Sequence, residues 1–299
     1  MPFRRLTGGI LFLFTLIGTG IPAIYAQEAT PETTPEVTEV PCIQLENTIG
    51  PCEYQENVNP LTGLVVDDVN SLNRRPIVVK VSNSPAIVRP QSGIGEADLV
   101  FEHYTEVGIT RFSAIFLSNA PTRVGSIRSA RLIDYELAPM YDALLAFAGA
   151  SIGVDKRIYG SEAVAAGLCA TREDYDQCLA EAAIIAPPGV VPPSDFVDRA
   201  YKGVLFGSPY FYRDETVPVP HNLFVNLDAL WQLAESDGNS GRQDLSGMAF
   251  SEELQGDATG SGIYAQVRYT TTIVEWHYDP ETERYYRSTD GQRHFDANT

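Results

Sequence analysis

Lysine is nearly absent from this chain of 299 residues: three lysines stand beside 18 arginines. Histidine is also scarce, and none of the four shows metal-ligand spacing with another histidine or with a cysteine, which excludes the common zinc patterns. No Gly-x-Ser-x-Gly elbow occurs, because Gly125-Ser126-Ile127-Arg128 lacks the closing glycine, so nucleophilic hydrolase readings are weak. There is neither a phosphate-cradling glycine loop nor a dinucleotide fingerprint, and no cofactor is expected. No apolar run reaches the ~20 residues of a spanning helix. Positive charge is short overall, with 21 basic residues against 39 acidic ones and a formal net charge of -18. That balance argues against nucleic acid as a partner and against tight contact with an anionic membrane.

What is present begins with an export signal. Arg4 and Arg5 precede an apolar stretch from Ile10 to Ile17 that continues weakly to Tyr25, with Ala26 at the cleavage point, so residues 1–26 read as a secretory signal peptide. An uncleaved N-terminal anchor is the alternative. A lipoprotein needs a cysteine directly after the apolar region, and the first one here is Cys42. The expectation is therefore a soluble, extracytoplasmic protein of the cell envelope without a lipid anchor. Loss of the leader removes two arginines and no acids, moving the formal charge to about -20. Residues 27–52 form a Thr/Pro/Glu-rich tether with little that can pack in a core. The four cysteines fall into two close pairs, Cys42 with Cys52 and Cys169 with Cys178, which predicts two local disulfides in an oxidising compartment. Free thiols or another of the three connectivities are the alternatives.

The remaining chain alternates short runs rich in Val, Ile, Leu and Phe with helix-like pieces. Strands are predicted at Ile77–Ser82, Leu99–Tyr104, Phe112–Leu117 and Ala143–Ala148, and helices at Arg131–Tyr141, Lys156–Gly167 and Leu227–Glu235. This pattern implies an α/β (mixed α+β) fold, a mixed sheet covered by helices, with the runs at 99 and 112 forming a hairpin. The main α/β domain is placed at residues 53–237 and a Gly/Ser-rich linker at 238–262. Residues 263–299 read as a smaller β-rich segment: Tyr264–Tyr278 is long and β-prone, Asp279-Pro280-Glu281-Thr282 is a turn, and Tyr285-Tyr286-Arg287 returns. A hairpin with so little cover either packs on the main domain or begins a second, incomplete domain; the second is expected.

Four arginines between 111 and 131 are the best pointer to a site in so acidic a chain. Arg111, Arg128 and Arg131 are candidate ligands for a carboxylate or phosphate, since the guanidinium fork matches those groups bidentately. Asp134 is counted with them as a ligand-binding candidate, and the competing reading pairs the arginines internally with Asp134 and Glu136. Glu102 and Glu106 are candidate acid/base groups for cleaving a glycosidic bond, or simply ion-pair partners of the arginines. His221, held between Pro218, Pro220 and Asn222, is a candidate base or polariser, with Asn222 beside it as a ligand-binding amide; a structural, hydrogen-bonded histidine is the alternative.

One set of motifs carries a resemblance. Asn59-Pro60-Leu61-Thr62-Gly63, Asn83-Ser84-Pro85, Arg89-Pro90-Gln91-Ser92-Gly93, Thr110-Arg111-Phe112, Gly125-Ser126-Ile127-Arg128-Ser129-Ala130-Arg131 and Pro220-His221-Asn222-Leu223 occur in an order similar to that of the YerB-like family of exported bacterial envelope proteins. The stretches Trp276-His277-Tyr278-Asp279 and Tyr286-Arg287-Ser288 resemble the start of that family's C-terminal domain. The resemblance implies an envelope location and no settled reaction. Combined with the arginine cluster, it gives the functional expectation: binding of a wall glycan or related anionic ligand, with peptidoglycan cleavage of the lytic transglycosylase or glycosidase type as the enzymatic form. A non-catalytic scaffold for a wall enzyme or another envelope protein is the alternative.

Overall fold

The computed structural model describes residues 42–169, 192–253 and 262–298. The leader, most of the tether and the Cys169/Cys178 pairing lie outside the described residues. The strands and helices, in chain order, are β1 (Ile77–Ser82), β2 (Leu99–Tyr104), β3 (Thr110–Phe116), β4 (Val124–Gly125), α1 (Leu132–Met140), β5 (Leu144–Phe147), α2 (Ile152–Tyr159), α3 (Ser161–Cys169), β6 (Ala200–Lys202), α4 (Gly203–Phe206), β7 (Phe211–Arg213), β8 (Leu223–Val225), α5 (Leu227–Ser236), β9 (Tyr264–Arg268), β10 (Ile273–Asp279), β11 (Arg284–Thr289) and β12 (Gln292–Arg293). They form a mixed α/β fold around a five-stranded sheet ordered β2-β3-β1-β5-β6, in which β1, β5 and β6 are parallel and β3 is antiparallel to both its neighbours. A small sheet β4-β8-β7 and an antiparallel sheet β12-β11-β10-β9 accompany it.

The central strands are buried on both faces, which is why β1 and β5 read as unbroken apolar runs rather than alternating ones. Side-chain alternation splits the core in two. Val78, Ile115, Leu145 and Phe147 face Ala138 of α1 and Val154 and Ile158 of α2. Ile77, Val79, Val81, Phe112, Ala114 and Phe116 face Val225 of β8 and Leu227, Leu230 and Trp231 of α5. Truncating a wholly buried ring such as Phe116 or Phe147 to alanine would cost about 3–5 kcal/mol.

The predicted hairpin is present, with Glu102 opposite Phe112 and His103 opposite Arg111. The single helix predicted over Lys156–Gly167 is instead two, because Gly160 adopts φ 84° and ends α2 before Ser161 starts α3. The long strand predicted over Tyr264–Tyr278 divides at a turn, so the C-terminal segment is a four-stranded sheet and not a two-stranded ribbon. It sits against the central sheet: Arg287 pairs with Glu102 at 2.6 Å, the Tyr269 hydroxyl donates to the Glu102 carbonyl at 3.4 Å, and Asp296 forms a parallel bridge with Gln91. Cys42–Thr299 thus forms one compact unit. Within 238–253, Leu245 and Met248 pack against the core and Phe250 pairs with Ile49. Cys42 and Cys52 form a disulfide.

Candidate anion site at the carboxyl edge of the sheet

In open α/β sheets ligands sit beyond the carboxyl ends of the parallel strands, where loops diverge from a rigid edge. Here that edge is defined by Ser82 of β1 and Phe147 of β5, with Arg111 opposite Ser82 at the start of β3. The segment 126–130 is stitched between these strand ends. The Arg128 amide donates to the Lys80 carbonyl at 2.8 Å and the Ala148 amide to the Arg128 carbonyl at 2.9 Å, while the Ala130 amide donates to the Gly149 carbonyl at 2.8 Å. Arg128 and Arg131 therefore project from a backbone held by the sheet itself.

Beneath them lies a buried polar network. Lys80 and Asp134 have no solvent-accessible side-chain surface and meet at 2.9 Å. Asp134 Oδ1 also accepts from Ser113 Oγ at 2.7 Å, and its Oδ2 accepts from the Arg131 amide at 2.6 Å, capping α1. His103 Nε2 lies 2.5 Å from Lys80 Nζ and 3.1 Å from Ser113 Oγ, with Nδ1 3.2 Å from the Tyr104 carbonyl. Burial, followed by the Lys80 charge, pushes the His103 pKa down, so the neutral ring accepts from Lys80 and donates from Nδ1. Burial likewise lowers the Lys80 pKa to about 8 despite Asp134. The network fixes α1, and through it Arg131, on the sheet.

The three arginines differ in their partners. Arg131 forms a two-point pair with Glu106, Nε to Oε1 at 2.6 Å and Nη2 to Oε2 at 2.8 Å. Arg111 Nη1 donates to the Ser129 carbonyl at 2.7 Å. Arg128 donates to the Pro220 carbonyl at 3.2 Å and to His221 Nδ1. Among the described residues, neither Arg111 nor Arg128 meets a carboxylate. Burial, the Arg131 charge and the Arg128 charge lower the Arg111 pKa to about 10, which leaves it cationic at neutral pH. Four cations (Lys80, Arg111, Arg128, Arg131) thus gather around two carboxylates (Asp134, Glu106) in a chain whose net charge is -18. Beside Arg131 a cleft of about 510 Å³ opens between Tyr104, Glu106, Leu132, Ser151 and Gly153.

The sequence candidates separate in space. Arg111, Arg131, Glu106 and Asp134 come together, with Arg128 and His221 adjoining. His221 has its pKa lowered by burial and then by Arg128, so its neutral ring serves as an acceptor for that guanidinium. Asn222 lies apart: it is buried and its Oδ1 accepts from Arg213 at 2.7 Å. Glu102 points to the opposite face of the sheet from Arg111, because the two occupy successive pairs of the β2–β3 ladder. Both its oxygens are occupied, by Arg287 at 2.6 Å, Thr110 at 2.7 Å and Asn83 at 3.0 Å. Partial burial would raise the Glu106 pKa, but the Arg131 hydrogen bond, a backbone hydrogen bond and the charges of Arg131 and Arg111 outweigh it and hold the group ionised. Glu136 is exposed on α1 and makes none of the ion pairs found among the described residues. Lys80, Ser113 and His103 were missed by sequence reasoning. The available signal was a lone lysine inside an apolar strand, which must find a buried carboxylate.

Comparison with known proteins places the chain. Residues 61–240 match the family described as "Protein of unknown function (DUF3048) N-terminal domain". The chain belongs to this family. It is 31% identical over 236 residues to "Putative lipoprotein YerB" of Bacillus subtilis (strain 168), an alignment covering 78% of this chain and 60% of that relative's length. The crystal structure of the YerB protein from Bacillus subtilis superposes with a TM-score of 0.54 at 29% identity, over 81% of this chain and 69% of that one. The Bacillus protein thus shares the mixed α/β fold of this chain. Among the described residues no helix is long and apolar enough to cross a membrane.

Proposed function

We propose that this chain works at the bacterial cell envelope as a non-catalytic anion-binding module, holding a carboxylate- or phosphate-bearing wall component at Arg111, Arg128 and Arg131. The N-terminal leader and the lipoprotein name of the Bacillus relative support the location. The observation that carries the binding reading is that the Arg111 and Arg128 guanidiniums end on neutral acceptors. Guanidinium groups buried beside one another repel, and an anion placed between them offsets that repulsion with charge-assisted hydrogen bonds. Peptide-stem carboxylates, teichoic phosphates and uronic sugars all supply such groups. Cleavage by Glu102 or Glu106 fits the geometry poorly, because each carboxylate is held by an arginine, and the pKa of Glu106 is lowered by its hydrogen bond to Arg131, away from the range of a general acid.

The test is a pull-down of the exported protein with purified peptidoglycan sacculi, alongside analysis of the supernatant for soluble muropeptides. Binding is expected to fall roughly tenfold or more in the Arg111→Ala/Arg128→Ala variant, with the circular dichroism spectrum unchanged. Undiminished binding by that variant removes the arginine site. Muropeptide release by wild type that disappears in Glu106→Gln replaces the binding reading with an enzymatic one.

A further inference from the structure

The face of the central sheet opposite the arginine edge carries a second concavity. Between β10–β11 and the β2 face lies a cleft of about 370 Å³, lined by Val100, Glu102, Trp276, Tyr285, Arg293 and Phe295, among others. Its size is at the lower end of small-ligand sites. Trp276 and Tyr285 lie on one face of the C-terminal sheet, since Trp276 pairs with Arg287 and Tyr278 with Tyr285 in the same ladder.

These rings are exposed at the cleft. Trp276 is 38% exposed, Tyr285 43% and Phe295 61%. The Tyr285 hydroxyl is fixed on the Gly262 carbonyl at 2.5 Å and its ring lies 5.2 Å from that of Tyr278. Phe295 is held by its neighbour Asp296, whose oxygens accept from the Gly93 and Gly95 amides at 2.9 and 2.6 Å. Only glycine serves at 93, with φ 75° and the Arg123 carbonyl 2.6 Å from where a Cβ would stand.

The polar groups of the cleft balance, in contrast to the arginine edge. Arg287 and Arg293 oppose Glu102 and Asp296, and His294 is neutral, its pKa lowered to about 4 by burial and by the charges of Arg287 and Arg89. A ligand of either sign gains nothing from such a lining. Arg293 stacks over Tyr286 at 4.6 Å and Phe295 at 5.5 Å and donates no hydrogen bond within the described residues. Arg293 pairs with Ser288, so it leaves the C-terminal sheet on the Tyr286 face and reaches the cleft only at its rim, where its N–H groups are donors for neutral acceptors. Flat apolar rings beside planar hydrogen-bonding groups, with no net charge, match a ligand that is apolar on its C–H faces and hydroxylated at its edges.

We propose that this cleft binds a neutral sugar ring of a polysaccharide, stacked on Trp276 and Tyr285 with hydroxyls on Arg293. It is independent of the arginine edge, and the two can succeed or fail separately. Trp276 is one of two tryptophans, and the other, Trp231, is buried with its Nε1 on the Arg75 carbonyl at 2.8 Å. Intrinsic fluorescence therefore reports on the cleft. The full exported chain is titrated with neutral β-1,4-linked chito- and cello-oligosaccharides, followed by fluorescence and by calorimetry. A saturable change with at least one series is expected. Affinity should fall roughly tenfold in Trp276→Ala and in Tyr285→Ala, less in Arg293→Gln, and stay unchanged in Arg111→Ala/Arg128→Ala. Trp276→Phe guards against misfolding: it should bind by calorimetry while losing the fluorescence change. No saturable response to either series overturns the proposal, as does a response that survives both Trp276→Ala and Tyr285→Ala. Binding of a proline-rich peptide at the same residues, with sugars inert, would make the cleft a peptide groove instead.

Discussion

The Lys80 ammonium and the Asp134 carboxylate meet at 2.9 Å in the interior of the sheet, with neither side chain open to solvent. Burial lowers the Lys80 pKa from 10.5 to about 8, Asp134 offsetting only part of the desolvation cost. Between those two values the unfolded chain carries a proton that the folded chain has released, so folding stability rises with pH across that interval. The full effect is on the order of 3 kcal/mol. Thermal unfolding followed by circular dichroism should show a rising Tm from pH 8 to pH 10, and Lys80→Met should abolish the slope.

Removing one partner of the same pair tests whether it is structural. Asp134→Asn leaves a buried ammonium without its counter-charge and weakens the cap on α1, at a cost of about 3–5 kcal/mol. A Lys80→Met/Asp134→Leu double variant should recover much of that loss, since a buried pair replaced by apolar groups forfeits no uncompensated charge. Denaturant unfolding of the three proteins reads this directly. A double variant no more stable than Asp134→Asn would place the importance of Asp134 in its contacts with Ser113 and the Arg131 amide.

Much of the fold was legible because it rests on local pattern. The apolar runs at Ile77 and Leu144 are strands, since a strand buried on both faces cannot hide among polar residues, and the half-exposed run at Leu99 shows as one arm of a hairpin. The strands of two or three residues at 124, 200, 211 and 223 were not legible, because so short a run has no period and exists only through its neighbours. The site was half legible. The clustering of four arginines between 111 and 131 in so acidic a chain pointed to Arg111, Arg128 and Arg131, but spacing along the chain cannot reveal which face of a sheet a carboxylate takes. Glu102 and Glu106 looked equivalent in sequence; one residue of register in the hairpin sends Glu102 toward Arg287 and leaves Glu106 at the tip beside Arg131. The aromatic cleft was illegible for the same reason, since its walls are joined only by tertiary packing.

Glu102 accordingly is predicted to hold the C-terminal sheet. Glu102→Gln leaves Arg287, whose side chain is 8% exposed, without a counter-charge, and should destabilise by about 3 kcal/mol. Amide hydrogen exchange should quicken along β11 while β1 and β5 keep their protection. Sacculus binding at the arginine edge should be untouched. Uniform exchange throughout the chain would mean that the two sheets unfold as one unit and that Glu102 is not a local clasp.

Glu106 separates the binding and catalytic readings by the sign of its effect. Its carboxylate occupies Arg131, so it competes with any anion for that guanidinium. As a half-exposed pair the contact is weak, and Glu106→Gln should release Arg131 and tighten anion binding by roughly threefold to fivefold. A catalytic Glu106 predicts the opposite, with activity lost in the same variant and binding unchanged. The pH dependence follows the same sign: the Glu106 pKa lies below the ordinary carboxylate range, so the competing charge disappears only in acid, below that value. Wild-type affinity for inorganic phosphate, measured by calorimetry at low ionic strength, should therefore approach that of Glu106→Gln in acid and diverge from it toward neutral pH. Equal affinities at every pH would show that Arg131 takes no part in holding the ligand and would confine the site to Arg111 and Arg128.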